Sequence, residues 1–286
     1  PADKVNGYTS ATPVSDGEHV WALFGNGIAA CYDLDGNRVW ALSVGPPQTP
    51  TGWGHSASPV LAGGHLITHT NSMKALDPST GELVWEAPIA TYWGTSVVTS
   101  IEDTPVIITP NGYAINANDG TILAEKLGVC TYSAPLINDG IVYYSDERQP
   151  WRAIKLPETL DPFETEELWQ SRPKKDRYYG SPVIHEGIIY GVVRSQFLSA
   201  LDLATGEVLY EQNLTMGKAQ CYPSPTIAGG LLFVGCDNGD IAVIQPGAIF
   251  EEVGRNSLET FRACPVFVDG RMYIRGYDNL YCIGAE

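Results

Sequence analysis

Positive charge is scarce in this chain. Seventeen Lys and Arg stand against 33 Asp and Glu, leaving a formal net charge of −16 over 286 residues. A protein that grips nucleic acid through its phosphates needs the opposite sign, so nucleic acid is set aside as a partner. No run approaches the roughly 18 apolar residues that a membrane-crossing helix requires, and no span is expected. The six cysteines, Cys31, Cys130, Cys221, Cys236, Cys264 and Cys282, form no Cys-x-x-Cys, no vicinal pair and no Cys-x-x-Cys-His. Structural zinc, thioredoxin-like exchange and c-type haem therefore have no sequence support. Their even number permits disulfides without requiring them. Gly-x-Ser-x-Gly, His-Glu-x-x-His and the P-loop are also missing. The chain opens on Pro1 without a signal-peptide pattern, the expectation for a mature or trimmed product.

What the chain has in quantity is turn formers, 30 Gly and 20 Pro, which suit many short strands better than helices. One stretch organises the rest. Residues 75–85 read Ala-Leu-Asp-Pro-Ser-Thr-Gly-Glu-Leu-Val-Trp: a strand end, a tight turn with Pro78 and Gly81, and a return strand. The pattern recurs at 200–210 with Tyr210 in the Trp place, at 31–40 one residue shorter, and at 114–124 in degenerate form. A second marker, a small residue followed by Pro and an apolar or β-branched residue, falls at Pro13, Pro59, Pro135, Pro182, Pro225 and Pro265, with Val97 in the remaining slot. These slots lie about forty residues apart, the period of a β-propeller blade.

Seven repeats follow. After each marker comes a turn pair: Asp16-Gly17, Gly63-Gly64, Glu102-Asp103, Asp139-Gly140, Glu186-Gly187, Gly229-Gly230 and Asp269-Gly270. A third strand carries one small residue per repeat: Cys31, Ala75, Ala114, Ala153, Ala200, Ala242 and Cys282. Cys31 and Cys282 thus read as small buried side chains in an alanine position. Cys221 and Cys236 fall on neighbouring strands of one hairpin and either bridge or stand free. The fourth strand carries Trp40, Trp85, Trp169 and Tyr210, expected to seal one blade to the next. The fold class expected is all-β: a single domain over 1–286, a seven-bladed propeller of four-stranded antiparallel blades. An eight-bladed ring with missing upstream chain is the alternative. The last repeat ends on its third strand, Leu280 to Ile283, and its fourth strand is expected from residues 1–7 or from chain upstream of Pro1.

Residues 75–85 match Ala-x-Asp-x-x-Thr-Gly-x-x-x-Trp, and 200–210 match all but the last place. This resembles the tryptophan-docking motif of the PQQ-like, quinoprotein-type propeller repeat family. That family holds pyrroloquinoline-quinone (PQQ) dehydrogenases and non-catalytic propellers, such as the lipoproteins of the bacterial barrel-assembly machinery. The resemblance implies a binding or scaffold propeller of a bacterium, periplasmic or secreted, with no cofactor and no catalytic residues. The alternative it leaves is a quinoprotein dehydrogenase acting on alcohols or sugars, with PQQ and calcium. The vicinal disulfide typical of such dehydrogenases has no counterpart here.

An aromatic precedes the first strand of each repeat: Tyr8, Trp53, Trp93, Tyr132, Tyr179, Tyr222 and Phe261. Propeller geometry turns that period into a ring at a channel mouth. The expected ligand site there comprises Trp53, His55, Trp93, Tyr132, Tyr179, Tyr222 and Arg262. The expected partner is a protein, a peptide or a small planar or sugar-like ligand. Rim packing between blades is the competing role for these rings. Longer loops, 43–55, 146–151 and 171–177, are expected on the same face, bringing Arg148, Trp151, Arg152, Lys218 and Gln220 near it. Lys174-Lys175-Asp176-Arg177 is the one basic spot in an acidic chain, either a solvated loop or a hold for an acidic partner. The insertion at 155–168 reads as a long turn within the fourth repeat, either a docking loop or decoration. Asp237 to Asp240 reads as a hairpin turn, since it lacks the spacing and later Glu of a calcium loop.

Overall fold

The computed structural model describes residues 10–48 and 53–284. Among them there is no helix, and therefore none long and apolar enough to cross a membrane. The strands form seven antiparallel meander sheets in chain order, at 14–43, 60–87, 97–124, 136–171, 183–213, 226–257 and 266–284. This is the seven-bladed β-propeller class. The first six sheets have four strands; the seventh has three among the described residues, ending on Leu280–Gly284. Two compact units make up the chain, 1–144 with 154–166, and 145–153 with 167–286.

The turn pairs explain the regular register. In six of the seven, both central residues take positive φ, as in Asp139 (48°) and Gly140 (71°) or Glu102 (48°) and Asp103 (63°). That left-handed pair matches strand twist and closes a two-residue loop, so Asn138 faces Ile141 and His185 faces Ile188 directly. The motif turns are built by a carboxylate. The Asp77 Oδ1 accepts the amides of Ser79 and Thr80, both at 2.8 Å, and Gly81 N–H returns to the Asp77 carbonyl. Asp202 repeats the arrangement with Ala204 and Thr205, and Asp33 with Asn37. These hydrogen bonds hold the Asp33, Asp77 and Asp202 carboxyls below their usual range.

The core is a row of layers between successive sheets. Trp21, Cys31, Leu66 and Leu76 fill the layer between the first and second; Ile67, Ala75, Trp85, Ile107 and Ile115 fill the next. In the second unit, Tyr190, Leu198, Val234 and Ile244 fill the layer between the fifth and sixth. Fourth-strand aromatics seal these layers. The Trp40 indole donates to the Pro78 carbonyl (2.9 Å), Trp85 to Ala117 (3.0 Å) and Trp169 to Leu203 (3.1 Å), while Tyr210 meets Phe250 edge-on at 5.8 Å. The aligned small residues are buried from Cys31 to Ala242, and Cys31, Ala75 and Ala200 pair with those aromatics across the ladder. Cys282 departs from the pattern. It is exposed, because it lies on the edge strand of the three-stranded sheet with no fourth-strand aromatic over it.

The small residues ahead of the proline slots have a second task that their pattern did not reveal. Thr12 N–H donates to Ser58 Oγ, and Ser58 N–H donates to Thr95 Oγ1, both at 2.9 Å. In the second unit Ser181 N–H donates to Ser224 Oγ and Ser224 N–H to Cys264 Sγ. These four bonds tie the entry of one sheet to the entry of the next, supplying a partner for an amide that has no ladder neighbour. Fitting with this, a β-carbon on Gly94 would collide with the Ser133 carbonyl, and one on Gly180 would come within 2.6 Å of the Pro223 carbonyl.

Candidate functional site

Within the first unit the expected site residues are Trp53, Trp93, Tyr132 and a buried His55; within the second they are Tyr179, Tyr222 and Arg262. Tyr8 lies outside the described residues, as do residues 1–7.

In the first unit, Trp53, Trp93 and Tyr132 gather. Ring centroids lie 5.9 Å apart for Trp53 and Trp93, 5.5 Å for Trp93 and Tyr132, and 6.3 Å for Trp53 and Tyr132, the last pair stacked. These are favourable aromatic spacings. Exposure differs sharply: Trp53 is 39% exposed and Trp93 only 8%, its indole nitrogen buried without a hydrogen bond. Trp93 is the packed member and Trp53 the open one. His55 is the outlier. It is buried, and its Nε2–H donates to the His69 carbonyl at 2.8 Å, while His69 Nε2–H donates to the Ile89 carbonyl at 3.0 Å. Burial lowers both imidazoles, His69 to about 4. His55 is thus part of the interior and not of an open surface; Ala57 and Pro59 hold the segment down beside it.

In the second unit, Tyr179 and Tyr222 stack at 4.8 Å with ring planes 2° apart, and the Arg262 guanidinium sits 4.2 Å over the Tyr222 ring. Arg177 donates to the Tyr179 hydroxyl at 3.2 Å. Gln220 accepts from the Tyr222 hydroxyl, and Asp237 stands 3.7 Å from Arg262 Nη2. The Nε and Nη1 of Arg262 make no hydrogen bond, so stacking is its main hold. Burial raises the Tyr222 phenol against the pull of Arg262. Phe261, by contrast, is fully buried, its ring pressed against Gly235.

A disulfide, Cys221–Cys236, anchors this group from below, its two α-carbons 4.2 Å apart and both side chains buried. It ties the residue before Tyr222 to the residue before Asp237. The loops at 146–151 and 172–175 converge on a cleft of about 170 Å³ lined by Arg148, Trp151, Arg172 and Lys175 together with Asp146 and Glu147. Asp237 to Gly239 is a hairpin turn, closed by Gly239 N–H to the Cys236 carbonyl. Within the first unit, the Leu160 N–H of the 156–165 insertion donates to Glu102, and Leu160 and Phe163 cover the layer around Ile108 and Tyr144. Among the described residues no three His, Cys, Asp or Glu converge as metal ligands would.

Comparison with known proteins follows the same line. The model of a family described as outer membrane protein assembly factor BamB matches residues 3–155, more than half of the chain. The outer membrane protein assembly factor BamB of Yersinia pestis is 24% identical over 234 residues, 72% of this chain. That alignment takes in only 57% of the Yersinia protein, so the chain spans just over half the length of that relative. Among solved structures, BamB from Moraxella catarrhalis superposes with a TM-score of 0.70 at 15% identity, covering 95% of this chain and 83% of that one. Sqt1 of Saccharomyces cerevisiae superposes at 0.73 with 11% identity, covering 99% of this chain and 84% of that one, a likeness of fold alone. By its sequence match and its docking turns, the chain belongs to the BamB family of PQQ-like repeat propellers.

Proposed function

We propose that this chain is an exported scaffold propeller that binds other proteins and carries out no catalysis, with outer-membrane assembly as its setting. Family membership supports the class of role. The observation that carries the reading to particular residues is the Arg262–Tyr222–Tyr179 stack. Tyr and Arg are the residue types that dominate binding energy at protein interfaces, because they offer large rigid area with a polar tip. Here they are half-buried, pre-stacked and backed by a disulfide, so little ordering entropy remains to be lost on binding. Trp53, open beside Trp93 and Tyr132, offers the first unit a similar anchor. The disulfide also supports an oxidising compartment, and with it a periplasmic or secreted location.

The test is site-specific photo-crosslinking from position 222 in cells of a Gram-negative bacterium, followed by mass spectrometry. Adducts with outer-membrane assembly proteins, lost in Tyr179→Ala/Arg262→Ala, are expected. A clean absence of adducts from positions 222 and 53 alike overturns the reading. So does dye reduction with alcohols or sugars after reconstitution with PQQ and calcium.

A further inference from the structure

We propose that the cleft between residues 146–151 and 172–175 docks a carboxylate-rich polypeptide segment, held by Arg148, Arg172 and Lys175 above Trp151. The proposal rests on the reading of the chain as a protein-binding scaffold and adds the chemistry of one partner. Four observations carry it.

The first is size. About 170 Å³ admits one or two side chains and falls short of the roughly 300 Å³ at which small-molecule pockets begin. The second is charge. In a chain of net charge −16, this rim gathers Arg148, Arg172 and Lys175, with Lys174 and Arg177 in the same loop, against two lining carboxylates, Glu147 and the amide-bound Asp146. The third is pairing. The neighbouring cations are matched: Arg152 by Glu167 at 3.0 Å, Arg194 by Asp176 at 3.2 Å and Lys174 by the Phe197 ring at 4.0 Å. Arg172 and Lys175 are exposed and have no carboxylate partner among the described residues. The fourth is a built-in precedent. Glu147, whose side chain is only 15% exposed, lies between Arg148 Nε at 3.4 Å and Arg177 Nε at 3.7 Å. A carboxylate of the chain itself already occupies the inner end of the basic strip at loose distances. An incoming Asp or Glu finds the outer end open.

The floor and walls are rigid. Trp151 is buried, packed edge-on against Tyr178 at 5.1 Å and facing Gly191, where a β-carbon would strike its ring. Asp146 Oδ1 caps the amides of Arg148 and Gln149, fixing the loop that carries Arg148. Arg148 therefore stands on a loop with little freedom to collapse into the cleft.

The test is fluorescence anisotropy of a labelled ten-residue oligoglutamate at about 0.15 M salt, where a Debye length of about 8 Å silences distant acidic residues and leaves the cleft in play. Saturable binding is expected. Arg172→Glu/Lys175→Glu should weaken it at least tenfold, Lys218→Glu should change it less than twofold, and Glu147→Gln should tighten it several-fold. Circular dichroism of each variant verifies the fold; Arg172→Gln/Lys175→Gln serves if the reversal disturbs it. No saturable binding, or equal binding by the reversed and native proteins, overturns the proposal. Equal loss of binding to anionic phospholipid vesicles in the same variant overturns the assignment to a polypeptide. Either outcome with crosslinks at position 222 intact leaves the scaffold reading standing.

Discussion

The Trp85 indole lies flat against Gly120: a β-carbon at 120 would come within 2.7 Å of Trp85 Cε3. Gly206 stands in the same relation to Trp169 at 2.5 Å. The docking turn is therefore a socket whose floor is a glycine. Gly120 and Gly140 share positive φ, 78° and 71°, but Gly140 has nothing within 4 Å of its would-be β-carbon. Both Ala variants meet the same backbone strain, and only Gly120→Ala meets a ring. We expect Gly140→Ala to cost about 1 kcal/mol and Gly120→Ala about 2 kcal/mol more, measured by urea unfolding.

Acid should act first on His69. Its folded value, about 4, lies below the unfolded value of about 6.5, because burial disfavours the cation. The unfolded chain therefore takes up the proton first. Stability is fully present above about pH 6.5, falls as pH drops toward 4, and levels off below that, a loss of about 3 kcal/mol from this group. Protonation would also put a hydrogen on Nδ1, which has no hydrogen-bond partner. His69→Gln should flatten the slope of stability against pH between 4 and 6.5. An unchanged slope would show that the imidazole gains no proton on unfolding.

The disulfide closes a segment with a sequence separation of 15 between Cys221 and Cys236. Cross-linking a loop of that size restricts the unfolded chain by about 3 kcal/mol. Cys221→Ser/Cys236→Ser, or reduction of the native protein, should lower stability by about 2–3 kcal/mol and loosen Tyr222. Unfolding with and without reductant measures the first effect, and Tyr222 crosslinking yield the second.

Trp53 and Trp93 sit on either side of the choice between packing and binding. Trp93→Ala should cost about 3–5 kcal/mol, as truncation of a buried Trp does. Trp53→Ala should cost about 1 kcal/mol or less and show itself in partner crosslinking. Equal destabilisation by both would make the triad a packing element only.

The sequence carried most of the fold because propeller repeats write their geometry locally. Turn pairs, motif turns and small third-strand residues each depend on neighbours within about ten positions, and each appears where its pattern puts it. Relations between repeats were less legible. The Thr12–Ser58–Thr95 relay joins residues about forty positions apart through ordinary small polar side chains. His55 was expected at the ligand site because no local signal announces burial beside His69. Cys282 looked buried because its repeat position predicts a covering strand, which the seventh sheet does not have among the described residues. Of the expected site residues, the period marked one aromatic ahead of each first strand, whereas which rings touch, where Arg262 stacks and how unequally they are exposed depend on packing that no period encodes.

The aspartate turns set the order in which this protein meets acid. Asp33, Asp77 and Asp202 are clamped by backbone amides and by Asn or Thr side chains, and their folded values lie below the ordinary carboxylate range. What they contribute is present above that range and lost only as pH falls through their lowered values. His69, in the interior of the second sheet, has by then given up its share. Acid thus loosens the middle of a layer while the hairpins at its rim still hold their shape.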